Sequence, residues 1–187
     1  MEEKSKKESL AFKALKKGNH LEAEILLREI VSKGTNNYFV YGSLAVLCGK
    51  KGNIDEMLEC LKHSIKLNPN YADGHFNLGI IYLKKGDFNN AVHFFLKTIR
   101  IRPEDSNALN MLGVAFFKKG NVKSSISYYL KAIELNPQND KIYNNLAIAY
   151  SNLGNLEAAV LIYLKALKID SNSFSTLFNL GKIYQQK

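Results

Sequence analysis

The sequence predicts an all-α protein, a solenoid of stacked antiparallel helix pairs, and three observations carry that prediction. A leucine recurs every 34 residues, at Leu10, Leu44, Leu78, Leu112, Leu146 and Leu180. The residue after each is small: Ala11, Ala45, Gly79, Gly113, Ala147 and Gly181. The triplet Lys-Lys-Gly stands in the same register at 16–18, 50–52, 84–86 and 118–120, with Gly154 continuing it, and the only prolines, Pro69, Pro103 and Pro137, are again 34 apart. Self-similarity at a fixed period of this length marks a stacked-repeat architecture. The register divides the chain into units 4–37, 38–71, 72–105, 106–139 and 140–173 and a partial unit 174–187, a single array over 1–187.

Each full unit reads as two helices. In unit one the first helix ends at Gly18, where glycine reaches the left-handed conformation that closes a helix. Asn19 then caps the second helix, and with Glu22 it resembles a capping box. Unit two repeats this with Gly52, Asn53 and Glu56, and its second helix stops before Pro69. Cys48 falls where the next unit has Tyr82, a core position. In unit three Phe76, Leu78, Ile81 and Tyr82 recur at helical spacing up to Gly86. Asp87 caps a second helix carrying Phe94, Phe95 and Ile99, which ends before Pro103. Close approach of the two helices is expected where Gly79 faces Ala91. Unit four follows with Gly113, Gly120, Asn121, Ser125 and Pro137, and unit five with Ala147, Gly154, Asn155 and Ala159. Residues 174–187 supply one further helix, on which Leu177, Leu180 and Tyr184 keep an apolar face where a partner helix would lie. The expectation is that the chain is cut from a longer protein or that something else covers this face, self-association included.

Composition narrows the function classes. Of 187 residues, 46% are hydrophobic and three are proline, which argues for an ordered helical chain. Two cysteines, Cys48 and Cys60, make neither a disulfide framework nor a metal cluster, and a reducing compartment follows. No signal-peptide core and no long apolar run is present, so a soluble cytoplasmic chain with no membrane segment is expected. The net charge is +9, of which the first unit carries +4 and the fifth carries none. A nucleic-acid binder carries its charge along a continuous face, and this distribution is uneven.

The pattern Leu78-Gly79, Tyr82, Ala91, Phe95 and Pro103 at a 34-residue period resembles the tetratricopeptide repeat. Leu112-Gly113, Phe116, Ser125, Tyr129 and Pro137 resemble it again, and the likeness covers residues 4–187. The departures lie toward the ends: Lys7 stands at the early aromatic position of unit one, and Thr35 and Ser171 replace the closing proline. Unit one thus looks like an adapted terminal cap with a more polar first helix.

The resemblance implies a right-handed superhelix with a concave groove lined by the first helix of each unit. Its apolar floor would be Phe12, Phe39, Val46, Phe76, Ile80, Val114 and Ile148. Lys16, Lys50, Lys84 and Lys118 would form a basic edge, and Asn110 and Asn144 an asparagine-rich far end. Asn77, Asn145 and Asn179 resemble the asparagine ladder of protein O-linked N-acetylglucosamine transferases, broken by Ser43 and by Met111, where the asparagine slips to Asn110. The carboxylate clamp of the chaperone-binding subset is missing at the matching places, Glu8 and Phe12, Phe76 and Ile80, Asn110 and Val114. Lysines in a last helical turn interact with the negative helix end at ~0.3–1 kcal/mol each. That suffices for Lys17, Lys51, Lys85 and Lys119, while for the inner four an acidic or C-terminally anchored partner is the other reading.

No catalytic chemistry emerges. His20, His63, His75 and His93 have no partner at metal-ligand spacing. Each Lys-Lys-Gly is followed by Asn or Asp, unlike a phosphate loop. The expected function is a non-catalytic interaction scaffold, without cofactor or metal, that binds an extended peptide or a helix of a protein partner. The alternative is the substrate-presenting arm of a longer transferase. RNA binding ranks last, since related helical repeats read bases with polar side chains and this lining is mostly apolar.

Overall fold

The computed structural model describes residues 2–185, and every regular element among them is an α-helix. They fall into two compact units, Met1–Ile81 and Tyr82–Lys187.

Unit one holds α1 (Glu2–Lys16), α2 (His20–Ser32), α3 (Tyr38–Lys50), α4 (Ile54–Leu67) and most of α5 (Ala72–Lys84). Helices α1 and α2 pack as a hairpin, α3 and α4 as a second, and α2 lies against α3. Leu27, Val40, Cys48 and Leu61 are fully buried between them, so Cys48 is the core residue its register position implied. Unit two holds α6 (Phe88–Ile101), α7 (Ser106–Lys118), α8 (Val122–Leu135), α9 (Asp140–Asn152), α10 (Leu156–Ile169) and α11 (Phe174–Gln185). There α7 pairs with α8 and α9 with α10, while α6 lies against α7 and α8 against α9.

One joint is used throughout. Gly18, Gly52, Gly86, Gly120 and Gly154 sit at φ +75° to +87°, open to side chains only at a steric cost. The residue after each glycine sends its backbone N–H back across the turn: Asn19 to Ala14, Asp87 to Tyr82, Asn121 to Phe116, Asn155 to Tyr150, at 2.9–3.0 Å. The same residue then opens the next helix with its side chain. Asp87 Oδ1 accepts from Asn90 N at 3.1 Å, Asn121 Oδ1 from Ser124 N at 3.1 Å and Asn155 Oδ1 from Ala158 N at 3.1 Å. One residue therefore closes one helix and starts another. The lysines before the glycine take no part, which is why Leu153-Gly154 makes the same turn.

Two expectations of the capping pattern differ in outcome. Asn19 accepts from Glu22 N at 3.4 Å and donates to Glu22 Oε2 at 2.7 Å, a side-chain version of the reciprocal box. Asn53 makes no side-chain cap bond; Glu56 bonds Arg28 instead. The proline joints are also independent of proline itself. Asp170, before Ser171, takes φ −130°, close to the −135°, −128° and −140° of Asn68, Arg102 and Asn136. Thr35 is buried and tied to Glu8 Oε1 at 3.2 Å and Asn37 N at 3.1 Å. The first hairpin is less polar than its first helix suggested, because Leu10, Leu21 and Ile25 are exposed.

Within α7 and α8, the Tyr129 ring lies over Gly113, with Cε1 at 2.5 Å from where a Cβ would stand. Only glycine admits that approach. Phe116 and Tyr128 stack beside it at 5.4 Å between centroids, and Tyr82 and Phe94 stack in the same way at 5.4 Å.

Candidate functional site

The first helices of unit one form a hollow of about 290 Å³ between α3 and α5, lined by Leu15, Phe39, Val46 and Phe76 with Asn77, Ser43 and Asp73 at its polar margin. Tyr71 forms one wall: its ring covers Gly42 so closely that no Cβ would fit there. The wall is an aromatic cluster. Phe12 meets Phe39 edge-on at 5.2 Å, Tyr38 meets Tyr71 at 5.1 Å, and Phe39 meets Tyr71 at 6.4 Å. Phe39 and Val46 stay exposed although both are large and apolar. Exposed apolar side chains gathered in a concavity with a few polar groups at the margin are the ordinary composition of a ligand site.

The structure thus places Phe39, Val46, Phe76 and Asn77 around one hollow, with Phe12 behind Phe39. Lys16 lines an adjoining shallow surface of about 460 Å³ on α1 with Phe12, Glu8 and Lys13. Lys50 is exposed, and its Nζ donates to His20 Nε2 at 2.9 Å, so this lysine leans toward the α1–α2 turn. Ile80 is half-buried and Lys84 exposed on α5.

In unit two the apolar positions Val114 and Ile148 are half-buried and pack against the local cores. Lys118 is exposed. The asparagines behave differently from a free ladder. Asn110 is only 6% exposed and accepts from Asn145 Nδ2 at 3.0 Å. Asn144 Oδ1 accepts from Asn179 Nδ2 at 3.2 Å and from Thr176 Oγ1 at 3.5 Å. These amides brace successive first helices to one another. A hollow of about 320 Å³ remains beside them, lined by Ile148, Ser151, Asn152, Asn179 and Lys182.

Tyr71 is the contributor that the periodic reading passed over. Its register mates are Asn37, Asp105, Asn139 and Ser173, and the first three cap helices through their side chains. A tyrosine where the other units place a small polar cap was the available signal.

Behind the hollow, unit one carries a charged network. Glu24 is 6% exposed and paired with Lys51 Nζ at 2.5 Å and Arg28 at 3.1 Å, and Arg28 reaches on to Glu56 at 2.9 Å. Lys51 holds the Glu24 carboxyl below the usual range, against the opposing effect of burial, with Arg28 adding to it. Burial pushes the Cys48 thiol up to about 12 and the Cys60 thiol up to about 11, so neither is a nucleophile at neutral pH. Among the described residues no group of three or more His, Cys, Asp or Glu is placed to hold a metal ion, and no helix is long and apolar enough to cross a membrane.

Comparison with known proteins agrees with this architecture. Tetratricopeptide-repeat family models match residues 72–105 and 106–139, and again 128–160; a second model of the repeat matches 48–86 and 152–187. No curated protein sequence matches the chain. Among solved structures it is similar to MamA, residues 41 to the end, from Desulfovibrio magneticus RS-1, at 18% identity and a TM-score of 0.83, covering 93% of this chain and 98% of that one. It is also similar to MamA MSR-1, at 24% identity and a TM-score of 0.78, covering 91% and 98%. At such identities the likeness speaks for the fold.

Proposed function

Since the chain belongs to the tetratricopeptide-repeat family, we propose that it is a non-catalytic interaction scaffold that holds an extended segment or a helix of a protein partner against the first helices of its units. The observation that carries this reading is the hollow between α3 and α5, where Phe39 and Val46 remain exposed at 45% and 42% inside an otherwise well-packed unit. An apolar side chain of the partner enters there, and Asn77 and Ser43 meet the partner's backbone at the margin. Lys16, Lys50, Lys84 and Lys118 favour an acidic partner by steering it, an effect that fades as salt rises. The unbroken 34-residue register supports treating residues 1–187 as one array. The two buried free thiols suit a reducing, cytoplasmic setting.

The test is selection of random displayed peptides on the full chain and on a Phe39→Ala, Phe76→Ala variant. The expected result is a motif with one apolar anchor and acidic neighbours, whose binding falls by about tenfold or more in the variant while helicity and melting stay near wild type. Equal selection by both proteins moves the binding surface off this face.

A further inference from the structure

Helix α11 repeats the sequence pattern of a first helix, and the pair α7–α8 shows what such a helix is built to receive. Leu109, Gly113 and Phe116 on α7 correspond by the 34-residue register, counted twice, to Leu177, Gly181 and Tyr184 on α11. On α7 all three are covered by α8: Leu109 is 5% exposed, Gly113 lies under the Tyr129 ring, and Phe116 stacks on Tyr128. On α11 the same positions are open. Leu177 is 47% and Tyr184 56% exposed, and nothing lies within 4 Å of a Cβ built on Gly181. Leu180, which the sequence grouped with them, is buried beside Tyr163 and belongs to the core. The sequence reading of an apolar outer face therefore holds for Leu177 and Tyr184 only.

The adjoining surface of α10 adds a hollow of about 430 Å³, lined by Tyr150, Leu161, Ile162 and Leu164, with Lys165 and Lys168 at its rim. Its rim contains no carboxylate. We propose that the face made by α10 and α11 is a docking site for an amphipathic helix of an acidic partner protein. The helix lies along α11 as α8 lies along α7. It sets a bulky aromatic side chain over Gly181 and turns its acidic side chains to Lys165 and Lys168. Charge selects this occupant over a second copy of the chain, because self-association through the same face would bring two sets of lysines together. Shape selects it as well. A slot floored by a bare glycine admits a ring at a distance that any other residue on α11 would prevent, as Gly113 and Tyr129 illustrate. Aromatic side chains seated in such slots commonly dominate the energetics of an interface.

The probe is a fluorescent peptide with this chain's own residues 121–136, the α8 segment, carrying Lys123→Glu and Lys131→Glu. The receptor is the full chain. The expected result is saturable binding that weakens with salt and falls about tenfold or more for a peptide also carrying Tyr129→Ala. Receptor Gly181→Trp fills the slot from within, into open space, and reduces binding by a similar factor with melting unchanged. Receptor Leu177→Lys, at an exposed position, serves as a second variant with the same expected loss. Lys165→Glu with Lys168→Glu shifts preference toward the unsubstituted, more basic peptide. Binding that ignores both Gly181→Trp and Leu177→Lys overturns the proposal, since the peptide would then be entering elsewhere, for instance in place of α8. Failure to saturate overturns it too. So does a dimer, seen by sedimentation, that Gly181→Trp dissolves, because a second copy would then occupy the face.

Discussion

Glu24 is a buried carboxylate at a position that the other full units fill with Leu58, Val92, Ile126 and Val160. A paired buried charge gains from its partners about what it loses in hydration, and an apolar replacement is often neutral or stabilising. Glu24→Leu is therefore expected to leave stability within about 1 kcal/mol of wild type near neutral pH. The pH dependence separates the two proteins. Folding lowers the pKa of Glu24, chiefly through Lys51, and that of Glu56, chiefly through Arg28. A carboxylate lowered on folding contributes stability above its ordinary value, about 4, and loses it as pH falls through the folded value. Urea midpoints should drop on acidification below about pH 4, with a shallower slope in Glu24→Leu. The cysteines offer a second check at this scale. Cys48 and Cys60 occupy the register positions of the stacked rings Tyr82 and Phe94, and both are buried. Their raised pKa values predict slow reaction with a thiol reagent in the native protein and rapid reaction of both in denaturant, read by absorbance.

Among elements, the hairpin α7–α8 depends on two glycines for different reasons. Gly113→Ala forces a methyl group against the Tyr129 ring and is expected to destabilise by roughly 1–3 kcal/mol. Gly120→Ala has open space around it but holds φ +87°, and strain there should cost about 1 kcal/mol. Thermal melts of the two variants rank them. The amide braces act between hairpins. A double-mutant cycle on Asn110→Ala and Asn145→Ala should give a coupling of about 0.5–1.5 kcal/mol, the ordinary net value of one such bond. No coupling would mean that the two amides stabilise independently.

For the molecule as a whole, the helix count and boundaries were legible because glycine, capping residue and proline recur at fixed places, and each has a local conformational cause. The joints at Gly86, Gly120 and Gly154 needed no tertiary information. Side-chain use was less legible. Asn110, Asn144 and Asn145 read as outward-facing groups, yet Asn110 and Asn145 bond each other, and Asn144 bonds Asn179, because an amide has donor and acceptor to offer either a guest or a neighbour 35 residues away. Tyr71 escaped the periodic reading because its position in other units serves a cap, and Leu180 because periodicity alone does not say which flank of α11 meets α10. Binding to the hollow between α3 and α5 should weaken between low and high salt if the lysine edge assists, measured as the slope of affinity against ionic strength.

The recurring joint has a practical consequence. Each glycine elbow faces empty solvent and makes its contacts through the backbone alone, so it is a natural place to splice in foreign sequence. A flexible reporter inserted after Gly120 should leave the far-ultraviolet dichroism of the remainder intact, whereas the same cargo placed after Gly113 would wedge apart the two rods that touch there.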